Sequence, residues 1–542
     1  MVPVRCCDTK TRLYCRDESL RPGGPHSRLG IQGRVRPTGR LCHKENTLSG
    51  FGGRRVARCS MKHPGGAYRA GLCFALVAVL VAMTGAWAEE PALPAGLGEE
   101  EPALPAGLGG DEPSLPAGLG SEEPALPAGL GDETTTESAA EDSTRPGLRD
   151  RLALHGFWET RVGIRTQPDP AQSKDTPLAE SRLQLETLRN WGPVELGAKA
   201  DVYLDGVLEQ AAFDLRQLQL TWSPLDNVDL RVGRQTLTWG TGDLIFINDL
   251  FPKDWQSFLS GRDEEYLKAP SDAIRVGLFT DWVNVNFVYT PQFDPDRFIT
   301  GERISYFNPI KGRTSGSDEQ ADCNAPSTWF QDDEFALRLY RNVGAYELAI
   351  YAYSGYWKSP GGQRFPPMQV TFPKLNVYGA SLRGTVGKGI GNIEVGYYDS
   401  RQDRGGYNVF VNNSEFRLLV GYEQELAKEL TGGFQYYLEH MMDYDDYRDS
   451  LLFFMDPRDE DRHLFTARLT KLLMNQDLTV SLFAFYSPSD GDMYLRPKAT
   501  YKVNDTWTME GGANVFWGIA RHSFFGQFED NTNVYASVRA SF

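Results

Sequence analysis

Beyond residue 88 the chain contains one cysteine, Cys323, so this long stretch has no disulfide framework, no CxxC pair and no CxxCH haem-attachment site. Structural zinc and covalently held haem are excluded with them, and no cofactor is implied. Histidine is scarce as well: His155, His440, His463 and His522 are the only ones past residue 88, each near the end of a strand-like segment. No GxSxG turn accompanies them, so the nucleophile, base and orienting group of an acyl-transfer enzyme are not assembled, and the chain does not read as an enzyme. The acidic stretch 441–463 lacks the DxDxDG spacing and closing glutamate of a calcium loop. It reads as a solvated loop, with no resident metal. No apolar run reaches the roughly 20 residues that a membrane-spanning helix needs.

What is present falls into four unlike parts. Residues 1–60 carry 13 Lys and Arg against 4 Asp and Glu, five of the seven cysteines and no periodic apolar pattern, and read as an over-extended start or leader without a fold. Met61 opens "MKHPGGAYRAGLCFALVAVLVAMTGAWAEE", a short basic start, an apolar run from about Gly71 to Met83, and Ala86-Trp87-Ala88 before two glutamates. This is a secretory signal peptide over 61–88, with cleavage expected after Ala88. Taking the +9 of residues 1–60 and the +2 of 61–88 from the net charge of −16 leaves about −27 for the exported chain. Such an acidic chain excludes nucleic acid as a partner.

Residues 89–149 form the third part. Within them an 11-residue unit recurs four times: "EPALPAGLGEE", "EPALPAGLGGD", "EPSLPAGLGSE" and "EPALPAGLGDE". Two prolines per unit remove backbone donors and exclude a coiled coil, while glycine and clustered carboxylates oppose collapse. The expected state is a disordered acidic linker. A tether to a periplasmic partner is the sharper reading of the same repeat, and it stays open.

From residue 150 to 542 the apolar period becomes two. In "VELGAKADVYL" (194–204), Leu196, Ala198, Ala200, Val202 and Leu204 fall on one face and charged or polar residues on the other. About eighteen such segments follow one another to Phe542. Long polar stretches (166–179, 205–213, 238–272, 291–332, 359–374, 400–413, 441–460, 519–532, and a shorter one at 487–492) alternate with tight turns such as "NWGP", "SPLDN", "RNVGA", "VGKGIG" and "MNQD". Alternation of this kind predicts an all-β, transmembrane antiparallel β-barrel of about 18 strands, with long external loops and short periplasmic turns, in the outer membrane of a Gram-negative bacterium. Trp158, Trp191, Trp222, Trp282, Tyr289, Tyr422, Tyr486, Trp507 and Trp517 recur near segment ends, where aromatic girdles meet the two membrane interfaces. Outer-membrane lipid and lipopolysaccharide are then the surrounding partners.

If the aliphatic face looks at lipid, the other lines a pore. Its basic candidates are Arg161, Arg182, Lys199, Arg231, Arg275, Arg338, Arg383, Arg417, Arg468, Arg496, Lys498 and Arg539. Its acidic candidates are Glu159, Glu186, Glu195, Asp201, Glu347, Glu394, Glu423, Glu439 and Glu510. Opposed charges on one wall set a transverse field that sorts solutes by charge and size, or else pair and merely keep the wall wet. Both readings stand, and no charge preference follows. The stretch 230–276 is the most distinctive: a strand runs into Gly233-Arg234-Gln235, then Trp239-Gly240-Thr241-Gly242-Asp243, and strand texture returns only near Ala273. This loop is long enough to fold into the lumen. Arg234 shares the phase of Leu230 and Val232, so either a bulge re-aims it or it lies above the membrane.

The strand "LRVGRQ" followed by "WGTGD", "ND" and "P", together with the ending "FFGQFEDNTNVYASVRASF", resembles the proteobacterial outer-membrane channels of the alginate-export-like and substrate-specific porin group. The resemblance covers roughly residues 150–542. It implies a monomeric channel of about eighteen strands for diffusion or export of small polar or charged solutes, with Arg234, Gln235, Trp239 and Asp243 near the pore. The rival is a barrel that acts as sheath or scaffold for a periplasmic partner such as a multihaem cytochrome in an electron conduit. In the closing "NVYASVRASF", Val534, Ala536, Val538, Ala540 and Phe542 share the lipid face. The terminal Phe542 resembles the signal read by the barrel-assembly machinery, and the last strand is expected to close against the first, near Leu152.

Overall fold

The structure is a computed structural model that describes residues 154–542, except Phe365 and Pro367. The leader, the signal peptide and the acidic repeat lie outside the described residues. Eighteen antiparallel strands, from Leu154–Arg165 to Asn533–Ser541, each pair with their neighbours in chain order to form one sheet. The last strand pairs with the first over nine residue pairs, from Phe157↔Ser541 to Arg165↔Asn533, so the sheet closes on itself. Closure matters because hydrocarbon offers no partner to an unpaired N–H or C=O, and only a barrel leaves no edge. Among the described residues no helix is long and apolar enough to cross a membrane. This chain crosses with strands.

The period-two pattern fixes which way each side chain points. On the first strand Trp158, Val162 and Ile164 are exposed on the outside, whereas Phe157, Glu159, Arg161 and Arg165 are buried inside. On the last strand Val534 points out while Tyr535 and Ser537 are buried, the phase expected from the sequence. Eight of the nine aromatic residues assigned to the girdles lie on the outer face of strands, and the ninth, Trp282, is exposed in the turn 279–283. Phe542 exchanges two backbone hydrogen bonds with Gly156 (3.1 and 2.9 Å), tying the terminus to the bottom of the first strand.

Connections after even-numbered strands are tight: 192–193, 226–227, 279–283, 344–345, 387–388, 428–429, 474–477 and 503–506. In the first of these Gly192 takes a positive φ of 60°, a conformation open to glycine at little cost. Connections after odd-numbered strands are long, at 166–177, 237–269, 291–333, 357–373, 401–414, 442–460 and 519–532, with 488–491 short. One expected long loop is absent. Residues 205–213 reduce to a four-residue link, 206–209, because the strands Val194–Asp205 and Gln210–Leu225 run further than their alternation suggests.

Ile350, midway along the strand Tyr346–Tyr356, is 62% exposed on the outer wall. Ile350→Arg should therefore destabilise the barrel by about 2–4 kcal/mol in urea titrations in lipid vesicles, the depth-dependent cost of a cation facing hydrocarbon.

Candidate pore constriction

An eighteen-stranded barrel is wide enough to hold an aqueous channel unless something fills it. Here residues 237–269, which link the fifth strand (Val228–Thr236) to the sixth (Pro270–Leu278), turn inward. Leu237, Ile245, Ile247, Phe251, Phe258, Leu259 and Leu267 form one buried cluster with inner-wall residues that include Tyr398, Leu419, Phe485, Tyr494 and Phe516. Phe258 lies on a short helix, Trp255–Ser260, whose start is capped by the Asp254 carboxylate (2.7 Å to Ser257 N) and whose end is Gly261 at φ +95°. The helix sets the Phe258 ring edge-on to Tyr494 (5.8 Å) and Phe485 (6.4 Å).

Charged groups pin the loop all round the wall. Glu394, midway along the eleventh strand (Gly389–Ser400), accepts from Thr241 N, Thr241 Oγ1 (2.8 Å), Gly242 N (2.8 Å) and Asn248 Nδ2 (3.0 Å). Asp243 forms a two-bond ion pair with Arg468 (2.6 and 2.9 Å). Burial moves the Asp243 carboxyl above the usual aspartate range, although Arg468 pulls the other way. Glu264 meets Arg496 (3.4 Å) and Arg468 (3.5 Å), Asp263 meets Arg539 (3.1 Å), and the Gly261 carbonyl accepts from Arg161 (2.8 Å). Arg262 reaches Glu180 on the second strand (Leu178–Trp191). Glu180 also receives Arg182 (2.9 Å) and Arg303 (3.4 Å), the latter from the loop 291–333, so both inward loops meet at one carboxylate. The second and eleventh strands are nine steps apart either way round an eighteen-stranded ring. The loop 237–269 thus spans the lumen between opposite walls.

The residues expected to line the pore separate into groups. Arg161 pairs with Glu159 and Glu510, Lys498 with Glu510, Arg182 with Asp201, Glu186 with Lys199, Arg338 with Glu347, and Arg417 with Glu439. Glu423 shares the inner phase of its strand with the buried Glu415 and Leu419. Arg231, Arg275, Arg338 and Arg383 lie on the inner wall of the fifth, sixth, eighth (Glu334–Val343) and tenth (Lys374–Val386) strands, and Arg231 and Arg275 are direct register partners. Of the motif residues, one faces away from the lumen. Arg234 faces outward beside Leu218 and Val232 and forms a two-bond ion pair with Asp272 (2.8 and 2.9 Å). Gly233 takes φ +119° without re-aiming it; pairing at the loop end of the strand is what makes an outward arginine tolerable. Gln235 is fully buried and donates to the Ala273 carbonyl (3.0 Å). Trp239 packs on Phe251 (5.0 Å) and Tyr351 (6.1 Å) and is part of the loop core.

The anchors Glu180, Arg262, Arg303 and Glu264 were missed by sequence reasoning. Glu180 had one visible signal, its inner phase two residues before Arg182. The loop arginines had none, because a loop carries no period. Glu180→Gln leaves three buried guanidiniums without their shared anion, and should cost about 3–5 kcal/mol in equilibrium unfolding in vesicles.

No family model matches the chain, and no curated protein matches it. Solved structures do. OccAB4 of Acinetobacter baumannii is 12% identical, with 72% of this chain and 97% of that chain covered and a TM-score of 0.43. OmpT, an outer membrane protein of Vibrio cholerae in its trimer form, is 12% identical, with 72% and 98% covered and a TM-score of 0.36. A triple mutant of the Rhodopseudomonas blastica porin is 13% identical, with 72% and 99% covered and a TM-score of 0.33.

Proposed function

We propose that the protein is a porin-like channel of a Gram-negative outer membrane that passes small polar or charged solutes. One observation carries this reading: a closed barrel with an apolar outer wall has its lumen narrowed by its own loop 237–269, while charged side chains continue along the wall below it. A narrowed, charge-lined lumen is what sorting of solutes by size and charge requires. Arg231, Arg275, Arg338 and Arg383, on the turn side of the loop, are the residues that would act on a passing ion. The terminal Phe542 serves, in the same reading, as the address for barrel assembly.

The sheath reading is weaker for the same reason. A cytochrome threaded through the barrel would have to displace Phe258, Ile247 and the ion pairs around Glu180. Planar bilayers test the proposal: the purified polypeptide alone should give discrete conductance steps, and its failure to conduct would overturn the channel reading. Replacing Arg231 and Arg275 together with glutamate should move the reversal potential in a salt gradient toward cation selectivity, because two positive charges on one patch of wall become negative.

A further inference from the structure

The two ends of the loop are held by different chemistry. At Glu180 every partner is a guanidinium. At Glu394, which is 1% exposed, the hydrogen bonds come from the amides of Thr241, Gly242 and Asn248, the Thr241 hydroxyl and the Asn248 side-chain amide, all neutral. A buried carboxylate that receives several N–H and O–H groups binds them as charge-assisted hydrogen bonds. The glycines of Trp239-Gly240-Thr241-Gly242-Asp243 explain how the chain comes so close. Gly240 has φ +86° and a Cβ there would stand 3.2 Å from Glu394 Oε1, and one on Gly242 would stand 2.3 Å from the Ile245 carbonyl. Leu244, two residues further on, takes φ +59°. Leucine in the left-handed region costs about 1–2 kcal/mol, so this segment keeps its shape because its flanks are fastened.

We propose that Glu394 is the latch of the constriction, a positioning residue that holds residues 240–248 against the eleventh strand and so keeps the loop 237–269 stretched across the lumen, which sets the width of the pore. The inference rests on the channel reading and deepens it. The other fastenings of this segment are fewer at each point: Arg468 and Asp243 are each partly exposed, the Asn392 side-chain amide donates to the Thr241 carbonyl (3.0 Å) and hydroxyl (3.1 Å), and the buried Tyr398 hydroxyl gives a single bond to the Ile247 carbonyl (2.5 Å), whereas Glu394 gathers five donors. Without the carboxylate, its five donors lose their acceptor and the strained turn is free to relax. The loop then loses its fastening at the eleventh strand and folds back toward Arg262, which stays fixed on Glu180, so that the space beside the eleventh strand opens.

The test is single-channel conductance of wild type and Glu394→Ala in planar bilayers, each first shown to be folded by its resistance to detergent at room temperature. The variant's step size should rise about twofold or more relative to wild type, since width at the narrowest point governs conductance. Acetate in the bath should bring the ratio of variant to wild type back toward one, because it can occupy the vacated carboxylate position and meet the same donors. If Glu394→Ala does not fold, Gly240→Ala takes its place, with the same increase expected from a Cβ set against the Glu394 carboxylate. Equal step sizes in wild type and the folded variant overturn the latch and leave the channel standing. A wild type that shows no steps overturns the channel reading first; the latch is then overturned if an introduced cysteine at Thr241, in a Cys323→Ser background, reacts with a thiol reagent no faster in Glu394→Ala than beside Glu394.

Discussion

Everything in this molecule depends on the pairing of one backbone with itself around a closed ring. Hydrocarbon forces every N–H and C=O of a spanning strand to find a partner, and the ring supplies it from Leu154 to Ser541 without an edge. Once the ring is closed, alternate side chains have no choice of side. Val202 and Leu204 must face lipid, and Asp201 and Arg182 must face the lumen. A sheet with a polar inner face then needs something to hold its many charges, and most of the ion pairs inside are the answer to that need.

The interior is not simply a wet wall. Two of the long connections enter it and bring both apolar and charged residues, so the lumen contains a small core of its own around Phe258, Ile247 and Tyr494. Buried ion pairs such as Arg262 with Glu180 are rarely the cheapest way to gain stability. Their value here is positional. They fix where the loop crosses, just as Arg297 fixes the two inward loops to each other and to the wall through Asp254 and Asp214.

Much of this was legible in the sequence because a strand has a period and a loop does not. The phase of "NVYASVRASF" was enough to put Tyr535 and Arg539 inside and Val534 outside. The alternation of "NWGP" and "MNQD" with long polar stretches was enough to predict which end carries loops. The same reasoning misplaced the boundary at 205–213, where polar residues such as Asp205 and Gln210 lie within strands that continue past the apolar pattern. It also named Glu394 as a wall charge without finding that its carboxylate is spent on the loop amides. Arg234 was the instructive case: its lipid-side phase was read correctly, yet its partner Asp272, thirty-eight residues on, belongs to a strand that only the register brings alongside.

The loop that narrows the lumen also touches the two strands that meet last. Arg161 on the first strand holds the Gly261 carbonyl, and Arg539 on the final strand holds Asp263, so neighbouring loop residues straddle the junction of the chain's two ends. Before the ring closes, these two arginines lie on opposite edges of an open sheet. The loop can satisfy both only when the edges have come together. It is therefore a rivet across the seam from within, complete only when the ring is closed.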